Sequence, residues 1–230
     1  MAQLGDAKYE GWSMVSSGYA GVWATENTRQ AIFDAMMRKE TYATTGSRMT
    51  VRFFGGWEFD TADAKSRLPA ALGYAKGVPM GGDLTKGPEG KAPTFLVGAM
   101  KDPLSGNLDR VQIVKGWLDA KGDLSEKVFD VVWSGDRKPD AEGKIGSVGN
   151  TVDVVNTTWT NSIGSPELIG VWSDPDFDPM QRAFYYARAI EIPTPRWTAY
   201  EAKRFGVEME PEVPMSTTER AYTSPIWYTP

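Results

Sequence analysis

The chain has 230 residues, with 25 Lys and Arg against 30 Asp and Glu, and it contains neither His nor Cys. Without an imidazole or a thiol it cannot form a Ser-His-Asp triad, a Cys nucleophile or a Cys/His zinc site. The chemistry that is left is that of carboxylate pairs, Lys or Tyr, all-oxygen metal sites or plain binding. The net charge of −5, with Lys and Arg scattered along the chain, argues against nucleic acid as a partner.

The length of the chain fits one large domain, or one domain with an appendage, and is enough to bury a core without disulfides. The longest apolar runs, such as residues 94–100, are too short to span a bilayer, and residues 1–10 lack the basic and then apolar pattern of a signal peptide. We therefore expect a soluble protein with no membrane partner. The sequence leaves its compartment open.

A first helix is predicted over about residues 28–39. Asn27 lies three residues before Gln30, which is the spacing of a helix N-cap. The apolar residues that follow recur at helical spacing and form one stripe: Ile32, Phe33, Met36 and Met37. We expect this stripe to dock on a core.

The remaining apolar sequence is divided by Gly, Pro, Asn and Asp clusters into short β-rich pieces, which is typical of a sandwich or barrel. The predicted strands cover residues 49–54, 94–100, 110–117, 127–133, 151–158, 167–172, 183–192 and 222–228. A short helix lies between the last two, because Thr198 and Glu201 form a capping box and Gly206 stands where a left-handed C-cap is expected.

The predicted fold class is mostly β. A β-sandwich-like domain covers residues 48–230 and contains the one short C-terminal helix. A segment over residues 1–47 precedes it and carries the helix of about residues 28–39. Residues 55–91 form a long stretch rich in Gly and Pro, which in a compact domain indicates a functional loop or hidden short strands.

Three carboxylates, Asp174, Asp176 and Asp178, alternate at the spacing of a calcium loop. The EF-hand template fails here, because Pro179 occupies the sixth position, where Gly makes the turn, and Tyr185 occupies the twelfth, where a bidentate Glu is needed. The alternative is a pair of Asp-Pro turns that lead into the next strand. The three residues are thus candidate metal ligands for a hard cation such as calcium, or turn residues.

The nine tryptophans are many for this length. Sugar-binding sandwiches use Trp rings for stacking, whereas Trp at strand positions such as Trp117, Trp133 and Trp172 more often fills a core or covers a sheet. A surface that binds a glycan through exposed Trp and the loop of residues 55–91 is therefore a second hypothesis.

Several runs resemble a known family. Residues 21–29 (GVWATENTR), 31–35 (AIFDA) and 41–46 (TYATTG) look like the tail of a bacterial PHP-type metallohydrolase-like domain. Later runs resemble the uncharacterised family called domain of unknown function 3604: residues 53–57 (FFGGW), 107–116 (NLDRVQIVKG), 174–179 (DPDFDP), 192–197 (IPTPRW) and 221–230 (AYTSPIWYTP). The match extends over nearly the whole chain.

The resemblance implies that this chain is the C-terminal part of a longer protein, with residues 1–47 as the tail of a PHP-like barrel. PHP-like proteins bind divalent metals mainly through His, Asp and Glu, which would lie upstream of Met1, so none of those ligands can be carried over. The implied function is that of a non-catalytic β module of a PHP-like, phosphoesterase-like metal-dependent hydrolase, with no cofactor in this chain. Family members commonly look exported, which implies an exported or periplasmic parent protein.

Three functions therefore stay open: the non-catalytic module, a glycan- or ligand-binding sandwich, and a carboxylate-only cation-dependent enzyme at residues 174–178. The implied partner of the first helix is the upstream PHP-like domain. An apolar stripe without its partner favours association. We therefore predict packing of this stripe against that domain or against a second copy of the chain, as a homodimer or by exchange of the N-terminal segment.

Overall fold

The computed structural model describes the backbone of residues 2–4, 7–14, 17–119 and 121–230. In this part of the chain two β-sheets face each other and three α-helices lie at their edges and faces. The prediction of a mostly β, sandwich-like fold is confirmed. None of the described helices has the length and apolarity needed to cross a bilayer.

The secondary structure is dominated by short strands. In chain order they are β1 (Ala2–Leu4), β2 (Ala7–Tyr9), β3 (Tyr19–Val22), β4 (Thr41–Thr44), β5 (Thr50–Gly56), β6 (Gly77–Pro79), β7 (Asp83–Leu84), β8 (Thr94–Met100), β9 (Leu108–Leu118), β10 (Leu124–Trp133), β11 (Glu167–Ser173), β12 (Ala183–Glu191), β13 (Thr194–Pro195), β14 (Ser216–Thr217), β15 (Arg220–Thr223) and β16 (Ile226–Tyr228). The helices are α1 (Arg29–Met37), α2 (Pro69–Lys76) and α3 (Trp197–Phe205), with 3-10 turns at Gly11–Ser13 and Asp63–Lys65.

The larger sheet has eight strands in the order β10-β9-β12-β15-β4-β3, with β16 also paired to β12 and β7 paired to β16. The smaller sheet has four strands in the order β11-β8-β5-β6. The pairings are antiparallel, except that β16 and β7 run parallel. Two short pairs, β1 with β2 and β13 with β14, lie outside these sheets.

The main core lies between the two sheets. Phe53 on β5 and Phe95 on β8 stack at 5.4 Å between ring centres, and Phe95 lies 4.5 Å from the ring of Tyr185 on β12. Strand β12 shows the alternation expected from its sequence, because Tyr185 and Ala187 are fully buried while their neighbours are partly exposed. Hydrophobic burial of this kind is the main source of the stability of the sandwich.

A smaller cluster on the other face of the smaller sheet explains α2, which the sequence pattern did not predict. Phe54 and Leu96 point to this face, and α2 covers them. Pro69 stands in the first turn of the helix, where its missing N–H costs nothing. A Cβ on Gly73 would come within 2.4 Å of the Phe54 ring, so this glycine permits the close approach of helix and sheet. Residues 55–91 therefore contain a helix and two short strands.

Helix α1 differs from its prediction in length and in the face that it buries. Thr28 caps it in place of the predicted Asn27, because the Thr28 hydroxyl accepts from the N–H of Ala31 at 3.2 Å. Ala35 is its buried residue, whereas Phe33, Met36 and Met37 are exposed. The expectation that the apolar stripe docks on the core is wrong. The helix is short, and β3 and β4 on either side of it join the larger sheet.

The strand predicted over residues 151–158 is wrong. The segment folds into a turn closed by a single bridge between Asp153 and Thr158. The Asp153 carboxylate accepts from the backbone N–H of Asn156 at 3.0 Å and from its side-chain amide at 2.7 Å. Thr157 adopts a positive φ of 54°. Local side-chain bonds of this kind compete with strand pairing.

Helix α3 ends as predicted and begins two residues earlier than its capping box indicated. Gly206 is the left-handed C-cap, with a φ of 64°. The N-cap position belongs to Arg196, and no side chain caps this end of the helix. The Thr198 hydroxyl donates instead to the carbonyl oxygen of Pro214. The start of α3 is therefore an uncapped N-terminus.

Candidate functional site

A cleft of about 800 Å³ opens at one end of the sandwich. Its lining comes from loops that meet there: Trp57 after β5, residues 86–92 before β8, residues 174–180 between β11 and β12, and the chain after β16. Most small-molecule sites are clefts of about 300–1,000 Å³ with largely apolar walls. Part of the Gly- and Pro-rich stretch of residues 55–91 thus forms one side of this cleft.

Three aromatic rings form the wall of the cleft. Trp57 and Phe177 lie 5.9 Å apart at 67°, and Phe177 and Tyr228 lie 4.9 Å apart at 71°. These edge-to-face contacts are a favoured geometry for aromatic pairs. The Tyr228 hydroxyl donates to the carbonyl oxygen of Pro179 at 2.8 Å, and the backbone at Gly87 lies directly on the Trp57 ring. These contacts link the wall to both loops.

A buried ion pair lies behind this wall. Lys115 Nζ lies 2.6 Å from Asp174 Oδ2, and the two side chains are 3% and 0% exposed. The Tyr185 hydroxyl donates to the same oxygen at 2.7 Å, and Lys115 also donates to the carbonyl oxygen of Asp176 at 2.7 Å. Breaking a buried pair by removing one partner leaves an uncompensated charge, which is strongly destabilising. These contacts therefore hold residues 174–176 on the edge of the sandwich.

The same contacts decide how Tyr185 ionises. Burial raises the pKa of the Tyr185 phenol, and the negative charge of Asp174 and the hydrogen bond to it raise the pKa further. The phenol therefore stays protonated and remains a hydrogen-bond donor. The Asp174 carboxylate has no exposed surface. Lys115, Asp174 and Tyr185 therefore contribute to the cleft by holding its wall in place.

Each of the three candidate metal ligands has a different partner in the structure. Asp174 pairs with Lys115, Asp176 pairs with Lys127 in a half-exposed ion pair, and Asp178 Oδ1 accepts from the N–H of Met180 at 2.8 Å. The N–H of residue 176 also donates to Asp174 Oδ1. No group of three Asp, Glu, His or Cys arranged to hold a metal ion occurs in the part of the chain that the structure describes. The calcium site at these residues stays a prediction, while the turn geometry is observed.

Comparison with known proteins gives one result that covers every segment of this cleft. A family model described as "Protein of unknown function (DUF3604)" matches residues 1–230. The chain belongs to the DUF3604 family. No curated protein and no solved structure matches it.

Sequence reasoning missed Lys115, although this DUF3604 chain carries a signal that could have found it. In β9 the residues Val111 and Ile113 point to the core, and the period of a strand places Lys115 on the same face. A lysine at a core-facing position needs a buried acid as its partner. Asp174 was noticed only for its spacing to Asp176.

The tryptophans of the DUF3604 chain are less exposed than the glycan hypothesis assumed. All nine fall in the described residues, and Trp227, at 46%, is the one whose side chain counts as exposed. It lies on the outer face of the larger sheet, 5.2 Å from the ring of Phe184. Trp57 is the partly buried tryptophan that lines the cleft.

A second buried acid, Glu191, lies at the end of β12. Its Oε2 accepts from the Ser105 hydroxyl at 2.7 Å, while Oε1 has no hydrogen-bond partner among the described residues. Burial raises the pKa of Glu191 from 4.5 to about 7, and the negative charges of Glu219 and Asp102 act in the same direction. This carboxyl of the DUF3604 chain therefore changes its charge near neutral pH.

Proposed function

We propose that the chain is a non-catalytic β module of a longer, PHP-like metal-dependent hydrolase of the phosphoesterase type, exported from the cell. The proposal rests on the resemblance of residues 21–46 to the tail of a PHP-type domain and on membership of the DUF3604 family. In such a protein the metal and its ligands belong to the upstream domain. The role of this module is to pack against that domain and support it.

The observation that carries the proposal is the uncovered face of α1. Phe33, Met36 and Met37 are 56%, 51% and 65% exposed, and their spacing places them on one side of the helix. Large apolar side chains that are grouped on a surface mark interaction sites, whereas single scattered ones are normal on protein surfaces. An amphipathic helix face presented in this way fits a complementary apolar groove.

We assign the upstream domain as the occupant of this face. Residues 19–22 and 41–44, on either side of α1, pair into the larger sheet, so the helix is held at a fixed place on the module. A fixed helix whose Ala35 side packs on its own module while the face of Phe33, Met36 and Met37 stays exposed supports contact with a neighbouring domain. A second copy of the chain is the competing occupant, and it predicts a dimer.

The test compares the chain with a version extended upstream. We expect the α1 amides to exchange with deuterium more slowly in the extended protein, and the substitutions Phe33→Ser and Met37→Ser to remove this protection. In the chain alone the same substitutions are expected to change the unfolding free energy by less than about 0.5 kcal/mol, as is usual for surface positions. Leu124→Ser, at another exposed apolar residue, is the control for a general effect of lost apolar surface.

Two outcomes would contradict the assignment. Equal exchange of α1 in both proteins means that the upstream part does not cover it. A concentration-dependent dimer of the chain that Phe33→Ser abolishes would transfer the helix face to a second copy. An upstream reading frame without His, Asp and Glu motifs would contradict the PHP-like part of the proposal.

A second candidate function is the binding of a glycan or similar ligand in the cleft. It is favoured by the aromatic wall of Trp57 and Phe177 and by the exposed lysines Lys86 and Lys91 along the rim. Aromatic faces and edges supply stacking surface, and a few polar groups on the rim supply orientation, which is the usual composition of such sites.

Trp57 and Trp227 provide a matched pair for the test. We expect binding of oligosaccharides, measured first on an array and then by calorimetry, to be lost in Trp57→Ala and retained in Trp227→Ala. Trp57→Phe, which keeps an aromatic ring, separates loss of binding from loss of folding. Equal binding by all three variants, or none by the unmodified chain, would remove this candidate.

A further inference from the structure

A second pocket, of about 460 Å³, lies away from the cleft, where α3 begins. Arg196 and Trp197 line it together with β14 and the residues that follow this strand. Arg196 is 8% exposed, so more than nine-tenths of this lining residue is buried. Arg196 is the N-cap residue of α3, and no side chain caps this end of the helix.

Arg196 has no carboxylate partner among the residues that the structure describes. Its Nη2 donates to the carbonyl oxygen of Met14 at 2.9 Å, and its guanidinium lies 5.2 Å from the centre of the Trp197 ring. Within the described part of the chain, its Nη1 is buried without a hydrogen-bond partner, and no carboxylate lies within the 4 Å of an ion pair. An arginine cannot lose its proton, and buried charges are costly unless they are paired.

The rest of the pocket is suited to a negative group. The exposed Arg220 brings a second guanidinium to the lining, which also includes three residues with hydroxyl groups: Thr217, Thr218 and Tyr200. The N-terminus of the nine-residue helix α3 adds partial positive charge, and no side chain caps its N–H groups. Glu219 also lines the pocket, where its carboxylate accepts from the Thr45 hydroxyl, and the two guanidiniums outnumber this one negative charge.

We propose that this pocket, which we call the Arg196 pocket, binds an oxyanion: the carboxylate or phosphate group of a small molecule. The guanidinium fork matches both groups. In the bound state the anion neutralises Arg196, and the α3 N-terminus and the threonine hydroxyls complete its hydrogen bonds.

The experiment is thermal unfolding of the purified chain in chloride, acetate, phosphate and sulfate at equal ionic strength. A ligand that binds the folded state alone raises the unfolding temperature in a saturable way. Phosphate and sulfate also stabilise proteins non-specifically, so Arg196→Met supplies the baseline. We expect a saturable rise in the unmodified chain and only the non-specific rise in the variant. A response to acetate identifies carboxylate as the preferred group, and a response to phosphate alone identifies phosphate.

Arg137 provides the matched control, because it is a largely buried arginine with its partners in place: Arg137 Nη1 lies 2.6 Å from Asp109 Oδ1. In chloride we expect Arg137→Met to lower stability markedly and Arg196→Met to leave it unchanged or higher. If Arg196→Met loses as much stability as Arg137→Met, Arg196 is a structural residue and the proposal is overturned. Equal anion responses in the unmodified chain and Arg196→Met would overturn it too.

A second variant and a second readout protect the test from a folding failure. Thr217→Val and Thr218→Val together remove two hydroxyls from the lining without touching the buried charge, and we expect them to weaken the anion response severalfold. Fluorescence of Trp197 should change on addition of phosphate, and Trp197→Phe should remove this change. If the signal persists in Trp197→Phe, the anion binds elsewhere.

Discussion

Replacing Glu191 with Gln should change the way in which stability depends on pH. The carboxyl is fully buried, and its pKa is 4.5 in the unfolded chain and about 7 in the folded chain. Because the folded pKa is the higher one, the folded state favours the protonated form. Its contribution to stability is complete below pH 4.5 and is lost as the pH rises through 7.

The size of the effect follows from the two pKa values. They differ by about 2.5, and a tenfold change in proton affinity is worth about 1.36 kcal/mol, which gives about 3 kcal/mol. In Glu191→Gln the amide carbonyl still accepts from the Ser105 hydroxyl, and its NH2 group faces Ser47, whose buried hydroxyl oxygen lacks a partner. The unfolding free energy of Glu191→Gln, relative to that of the unmodified chain, should therefore rise by about 3 kcal/mol from below pH 4.5 to above pH 7.

The assay is urea unfolding at a series of pH values. Subtracting the unfolding free energies of the two proteins removes the contribution of every titrating group that they share. The exposed substitution Glu208→Gln is the control for the loss of one negative charge, and we expect its difference to stay flat. Parallel curves for Glu191→Gln and the unmodified chain would refute the reasoning, because the Glu191 pKa would then be the same folded and unfolded.

Three further results are expected. Lys115→Met should lower the unfolding free energy by about 3–5 kcal/mol in urea, because Asp174 is left as an unpaired buried charge. Gly116→Ala should lower it by about 1–3 kcal/mol, as overpacking does, because a Cβ there would come within 2.3 Å of the Phe184 ring; calorimetry measures the loss. Calcium should leave the unfolding temperature unchanged, since a cation at residues 174–178 must displace Lys115 from its carboxylate.

Each of these has a control or a contrary outcome. Lys127→Met breaks the half-exposed pair with Asp176 and should cost less than about 1 kcal/mol. If Lys115→Met lowers the unfolding free energy as little as Lys127→Met does, the ion pair behind the cleft wall is solvated. A calcium-dependent rise that Asp178→Asn abolishes would restore the cation site.

The sequence was sufficient where local pattern and tertiary packing agree. The apolar run of residues 94–100 matches β8 residue for residue, and Gly206 caps α3 as its position indicated. It failed where tertiary contact decides. Helix α2 forms in a Gly- and Pro-rich stretch because Gly73 fits against Phe54. The turn at Asp153 forms because its carboxylate bonds to residue 156 in place of strand pairing.

The sites were harder to predict than the fold, for a physical reason. The cleft is formed by loops 30 or more residues apart, such as those at Trp57, Gly87 and Phe177, and no sequence pattern records that they meet. Arg196 is a candidate because no acid among the described residues lies within ion-pair distance of it, and the sequence does not record distances in space. A core-facing Lys115 was the one such feature with a local signal, because the strand period places it inward.

The pairing of β4 with β15 has a practical consequence for fragment design. Residues 41–44 cover one side of β15, and β3 covers β4 in turn. A fragment trimmed to start at residue 48 would leave the backbone of β15 open along the edge of the larger sheet. Open edges recruit other strands, so such a fragment should aggregate, and a well-behaved one should begin before Tyr19.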